Sequence, residues 1–449
     1  MAPTTKIKLI ELSSVSPPPG SVPATSLPLT FLDIPWLPFS PGQPLFFYHF
    51  PMSTLQFTQT VLPNLRQSLS FTLQYFFPFA GKLVLPPEPS KPFIEYTEGD
   101  SVSLTVAESG GDFSYLSGDG QRKFEDLHSL VPKLPDGEKD TLLAIQITVF
   151  PGCGICIGFA LRPVVADGRT FDNFLKMWAS LACKNRGEDL HYPAAIIDRS
   201  VIHDPSGLES TFLKEWWSVK NSEKKGLFHS TRSNFPDMVR STFILGRPEM
   251  EKIKKWILLH GTKQMFLSPY VLTCAFVWVC WMKTHWPNNA DSEEVHFFGF
   301  IAGGITRLNY PIPASYVGNC VAFGRLGAIR KDLMAENGIV YAAKVIGNTI
   351  KKLDGNVLEG AKNWISEWKM LLESDLHVTI TGSPKLKFYS LDFGWGRPKK
   401  IEVSIDEMRA ISLCESRDVV GGIEIGLTLP KSKMDHFTFI FNKCLNNLF

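Results

Sequence analysis

Ten histidines, eight cysteines and 44 carboxylates are the residues of this chain able to move a proton or hold a metal. Their spacing narrows the field. No HxxH, HExxH or doubled CxxC is present, so no metal is assigned. The single CxxC, Cys153 and Cys156, lies in FPGCGICIGFAL, which reads as a turn running into a strand. A redox pair opens a helix after a strand, where its thiolate is stabilised, so this pair is read as structural. No glycine-rich phosphate loop is present. The remaining chemistry rests on single residues whose use depends on the elements that carry them.

Those elements alternate between two periods. Leu62, Leu65, Leu69, Leu73 and Phe76 recur at three- or four-residue steps and predict one apolar helix face. LLAIQITVF, Leu142 to Phe150, is β-rich; Pro151 and Gly152 turn the chain, and Ile155 to Leu161 reads as a neighbouring strand. Val164 to Arg169 then leads into a helix from about Thr170 to Cys183, with Phe171, Phe174, Leu175, Trp178 and Leu181 in register.

Pro269 to Lys283 is almost wholly apolar and predicts a helix buried on most sides. A strand follows over Glu294 to Ala302. Later strands are expected at Lys400 to Ser404, Ala410 to Glu415 and Gly422 to Leu429, with a final helix over Met434 to Leu448. The class is α/β without the βαβ rhythm of a doubly wound sheet. The polar stretch Asp204 to Asp237 predicts a crossover, dividing the chain into lobes of residues 1–210 and 211–449.

The 449 residues are 44% hydrophobic and 20% charged, enough to bury a sizeable core. A net charge of +2 gives no reason to expect nucleic acid or an anionic membrane as partner. Met1 to Ile10 lacks the apolar stretch of a secretory signal, and apolar runs stop short of a membrane span. Scattered cysteines suit a reducing compartment, and a cytoplasmic monomer is expected.

Several phrases, in order along nearly the whole chain, resemble the plant BAHD acyltransferases, in the branch that acylates anthocyanin and phenolic glycosides. They include SLPLTFLDIPWL at Ser26, LSFTLQYFFPFAGKL at Leu69, VVADG at Val164 and DRSVI at Asp198. VRSTF at Val239, YVGNC at Tyr316, DFGWG at Asp392 and IEIGL at Ile423 complete the set. The resemblance implies a two-lobed, chloramphenicol-acetyltransferase-like α/β fold, mixed sheets with helices and a tunnel between lobes. Acyl-CoA, with malonyl the commonest acyl group in that branch, enters as co-substrate, and no cofactor is bound.

In the family's HxxxD motif a histidine accepts the acceptor's proton, as a neutral imidazole can near pH 7. The aspartate holds local geometry through an arginine. Here the aspartate position is Asp167, and the histidine position is Pro163, which has neither an ionisable group nor an N–H. A second departure is GGITRL, Gly303 to Leu308, where the family writes D-x-R-x-R-L: Gly303 stands for the aspartate and Ile305 for the first arginine. Arg307 is the available replacement partner for Asp167.

Three readings follow from the departure: acyl transfer by a non-standard route, lyase-like chemistry on the same scaffold, or ligand binding without turnover. His377, ahead of a strand the family places near the tunnel, is the strongest substitute histidine; His49, His203 and His296 have weaker claims. Arg162 and Arg417 are candidate ligands for anionic groups of the substrates, although strand alternation turns Arg162 away from residue 163. Trp36, Phe393 and Trp395 are candidates for flavonoid stacking, weighed against core packing. The DFGWG residues Asp392, Phe393, Gly394, Trp395 and Gly396 take the family's structural role.

Overall fold

The hairpin expected around Pro151 forms the middle of the first sheet. Strands Leu143–Phe150 and Gly154–Leu161 pair antiparallel, Phe150 opposite Gly154 and Leu143 opposite Leu161. All residues of both strands are buried. Both sheet faces are therefore covered, which is why the sequence shows continuous apolar runs and not alternation. The computed structural model describes residues 7–134, 140–183, 195–221, 237–262, 264–405 and 410–448.

The first sheet has six strands in the order Ile7–Val15, Val102–Ser109, Leu143–Phe150, Gly154–Leu161, Leu45–His49 and Lys400–Glu402. The second has seven: Val321–Ile329, Val295–Gly303, His377–Thr381, Ala410–Glu415, Ile423–Pro430, Met238–Leu245 and Arg122–Lys123. Each sheet thus ends on a strand taken from the opposite half of the chain. A smaller four-stranded sheet flanks the first.

A buried charge cluster locks the exchange. The Glu402 carboxylate, on the strand donated to the first sheet, sits 2.6 Å from Arg122 and also pairs with Arg240. Arg122 and Arg240 lie on neighbouring strands of the second sheet. Burial opposes the charge on Glu402, but Arg122, Arg240 and Lys400 outweigh it and bring the carboxyl down to about 2.

Helix Leu62–Tyr75 buries Leu62, Leu65, Leu69 and Leu73 against helix Gly168–Cys183, where the Trp178 indole N–H donates to the Leu65 carbonyl at 3.0 Å. Helix Pro269–His285 starts at Ser268, whose hydroxyl accepts the Val271 amide, and every residue from Val271 to Met282 is buried. The final helix is Lys431–Asn446.

The loop-like reading of the polar stretch needs correction. Within Asp204–Asp237 the chain forms helix Leu208–Asn221, burying Leu208, Phe212, Trp216 and Trp217. The Asp204 carboxylate accepts the amides of Leu208 and Glu209 at 2.9 and 2.8 Å and anchors its start. The four-residue spacing of Leu208, Phe212 and Trp216 carried the signal, masked by charged residues on the outer face. The rest of that stretch, 222–236, lies outside the described residues.

Candidate functional site

A cavity of about 1250 Å³ opens between the two large sheets. On the first-sheet side the strand Gly154–Leu161 reaches the cavity with Leu161. Leu161 exchanges two backbone hydrogen bonds with Gly42, at 2.8 and 3.0 Å, and the strand then ends. The chain turns back through a bend closed by the Val165 amide donating to the Arg162 carbonyl at 3.2 Å. Pro163 occupies the second position of that turn, where a fixed φ and a missing N–H cost nothing. It lines the cavity.

Asp167 follows as the cap of helix Gly168–Cys183. Its Oδ1 accepts the Thr170 amide at 2.8 Å, and its Oδ2 accepts the Cys320 amide at 3.0 Å. The carboxylate is buried, and the nearest guanidinium is that of Arg169, at 3.6 Å. Arg307 does not fill this place, contrary to expectation. The turn in GGITRL, closed by Arg307 N–H to the Gly304 carbonyl at 2.8 Å, directs its side chain to the Gly303 carbonyl and to Asp354 at 2.7 Å. Ile305 packs against the first core.

The YVGNC segment is the strap that receives these groups. Arg169 donates to the carbonyls of Ala314 and Tyr316, both at 2.8 Å, and Thr170 donates to the Gly318 carbonyl at 2.9 Å. The Asn319 amide nitrogen lies 3.0 Å from the Pro163 carbonyl, 3.1 Å from that of Val164 and 3.0 Å from Asp33 Oδ1. Asp33 is fully buried, and its other oxygen accepts the Thr30 amide at 2.8 Å. The Arg199 guanidinium binds the Tyr316 hydroxyl at 2.7 Å and lies 3.7 Å from Asp33.

Sequence reasoning missed Asp33, Arg169, Arg199 and Asn319 as parts of the site. Each stands in or beside a phrase already singled out, but their pairing joins residues up to 286 positions apart, and no local pattern marks it.

The other candidates disperse. His377 lines the cavity, but it pairs with Phe297 in register, six residues before Gly303 on the same strand. At 3.3 Å per residue that is about 20 Å from the Pro163 end. Its Nδ1, 2.6 Å from the Ser374 carbonyl, is the donor nitrogen. Arg162 lies off the cavity: its guanidinium binds the Thr141 carbonyl at 3.0 Å and Asp140 at 2.9 Å. Alternation along the strand end explains that direction. His49 and Arg417 face a separate cleft of about 420 Å³ beside Trp395.

The DFGWG segment is a turn away from Pro163. Asp392 Oδ1 accepts the amides of Gly394 and Gly396 at 2.7 and 2.9 Å, and both glycines have positive φ, +98° and +87°. Phe393 packs edge-on to Trp178 with centroids 5.0 Å apart, and Trp395 packs on Phe50 at 5.0 Å. Trp36, by contrast, lines the cavity. It stands 4.8 Å from Phe323, which lies 5.1 Å from Trp368, while Phe39 sits 5.9 Å from Trp368. These four rings form one aromatic wall. Among the described residues no three His, Cys, Asp or Glu side chains gather as a metal site.

Comparison with known proteins agrees with this architecture. Residues 6–443 match the model of the Transferase family. A coumaroyl-CoA:anthocyanidin 3-O-glucoside coumaroyltransferase of Arabidopsis thaliana is 40% identical, covering 97% of each chain. A malonyl-coenzyme A:anthocyanin 3-O-glucoside malonyltransferase of Dahlia pinnata is 38% identical over 98% of each. Vinorine synthase superposes with a TM-score of 0.69 at 19% identity over 96% of each chain. The fold expected from the sequence is the one found.

Proposed function

Since the chain belongs to the Transferase family, the BAHD acyltransferases, we propose that it moves an acyl group from a CoA thioester to a hydroxyl of a phenolic glycoside. The carrying observation is the 1250 Å³ cavity between the sheets, larger than a site for one small ligand and lined at one end by the Pro163–Asp167 turn.

The aromatic wall favours an aromatic acyl group, of the coumaroyl kind, over malonyl. Trp36, Phe39, Phe323 and Trp368 offer stacking surface, whereas the cavity guanidinium of Arg307 is already paired with Asp354 and that of Arg169 with backbone carbonyls. Malonyl, the expectation from the family branch, is supported by Lys385, an exposed cation on the cavity lining.

The route differs from the family's if Pro163 stands at the histidine position. No imidazole is then present to take the acceptor's proton, and the Pro163 carbonyl is held by Asn319. The chain positions the hydroxyl against the thioester carbon; the C–O bond forms as the C–S bond breaks, solvent takes the hydroxyl proton, and the CoA thiolate leaves and is protonated from solvent. Loss of a general base costs about 10²–10⁴ in rate, so the reaction is slow but remains above background. The scattered cysteines support a cytoplasmic setting. No described helix is long and apolar enough to cross a membrane.

The test is free CoA release from coumaroyl-CoA and malonyl-CoA with anthocyanin and phenolic glucosides, for the native chain beside Pro163→His. Release by the native chain supports transfer without the histidine. Release by the variant alone favours a binding or lyase-like role for the native chain. Consumption of a glucoside ester without any CoA supports the lyase reading.

A further inference from the structure

We propose that the cleft beside Trp395 is an anion site for a phosphate-bearing compound, separate from the cavity between the sheets. Its volume is about 420 Å³, and its lining brings together His49, Arg397, Lys399 and Arg417 from three stretches of chain.

Charge is the first argument. Three full cations face one cleft, and among the described residues their only ion-pair partner is Asp418, 4.0 Å from Arg397 and 3.9 Å from Arg417. Three positive charges less one negative leave a net of +2 before His49 is counted. Asp418 is 69% exposed and sits at the limit of pairing distance, so it neutralises little of this. Asp392, the acid of the DFGWG turn beside the cleft, keeps its charge while accepting two glycine amides, and counting it lowers the net to +1.

Donor supply is the second. Among the described residues Arg417 Nε has no hydrogen-bond acceptor, with Asp418 Oδ1 3.9 Å away, so that donor is unspent. Arg417 is also held in place: its amide donates to Glu424 at 3.2 Å, and its carbonyl accepts from Arg397 at 3.2 Å. Lys399 is anchored by its amide to the Phe47 carbonyl at 2.6 Å, with its ammonium 5.0 Å from the Phe113 ring centre. The Arg417 fork, the donors of Arg397 not bound to the Arg417 carbonyl and the Lys399 ammonium suit the tetrahedral oxygens of a phosphate group. The rigid turn of Asp392–Gly396 supplies one wall, which gives DFGWG a use beyond packing.

The ligand is either a free phosphate compound or the 3′-phosphate of CoA. Calorimetric titration of the full chain with inorganic diphosphate, alone and with saturating CoA or dephospho-CoA, distinguishes them. We expect saturable binding that weakens at least about ten-fold in Lys399→Ala/Arg417→Ala and less than about two-fold in the control Lys255→Ala. Binding that persists under CoA assigns a free phosphate compound. Binding lost under CoA but kept under dephospho-CoA assigns the 3′-phosphate. The proposal is overturned by absence of binding, by indifference to the double variant, or by loss under both CoA forms. Should the double variant melt early, Arg417→Lys keeps the charge, gives up the fork and is expected to weaken binding about three-fold or more; unchanged binding in that variant then overturns the site.

Discussion

The Asp167 carboxylate accepts the backbone amide of Cys320 at 3.0 Å across 153 residues of sequence. One side chain therefore caps the helix after the Pro163 turn and holds the YVGNC strap against it. Asp167→Ala removes both bonds and leaves two buried amides unmet. We expect a loss of about 1–3 kcal/mol in urea unfolding. Asp167→Asn keeps one acceptor and should lose less. Equal stability of all three proteins would show that the strap is held by Arg169, Thr170 and Asn319 alone.

Pro163→His tests the site rather than the fold. The turn needs no proline, so we expect a stability change within about 1 kcal/mol. CoA release should rise about 10²–10⁴-fold if the cavity still aligns both substrates as the family does. A properly folded variant with unchanged turnover would mean that residue 163 does not face the acceptor hydroxyl.

The sequence was most informative where one element carries its own signal. Leu62, Leu65, Leu69 and Leu73 announce a helix, and the run from Leu143 to Phe150 announces a strand buried on both faces. The strand exchange was invisible: the strand expected at Lys400 to Ser404 is present as Lys400–Glu402, but nothing local says which sheet it joins, and two residues at Arg122–Lys123 have no periodicity to read. The site divided the same way. Pro163 and Asp167 were singled out from a five-residue stretch and both line the cavity, whereas Asp33 and Asn319 pair only in three dimensions. Arg307 was misassigned to Asp167 because a turn through Gly304, not spacing, decides where its guanidinium goes.

Glu402 ties stability to pH. Its carboxyl lies at about 2 in the folded chain, against an ordinary value of 4.5. The folded state thus holds its proton more weakly than the unfolded state does. The stabilisation is complete above about pH 4.5 and is lost as pH falls from there toward 2. We expect the urea midpoint to drop through that window. Glu402→Gln, less stable at pH 7 because Arg122 and Arg240 lose their counter-charge, should show a flatter drop. Parallel curves for the two proteins would assign acid sensitivity to other carboxylates.

Phe39 tests the donor reading with the smallest threat to the core. It is half-buried on the cavity wall, 5.4 Å from Trp36 and 5.9 Å from Trp368, whereas Trp368 and Phe323 are buried and double as packing. Removing its ring deletes stacking surface for an aromatic acyl group and leaves Lys385 and the Pro163 turn in place. We expect Phe39→Ala to lower kcat/KM for coumaroyl-CoA about two- to twelve-fold, from an aromatic contact of about 0.5–1.5 kcal/mol, and to leave that for malonyl-CoA within about two-fold. Equal losses with both donors would place the ring against the glycoside acceptor, because that substrate is common to both assays. A loss confined to malonyl-CoA would reverse the donor assignment and make Lys385 the next residue to change.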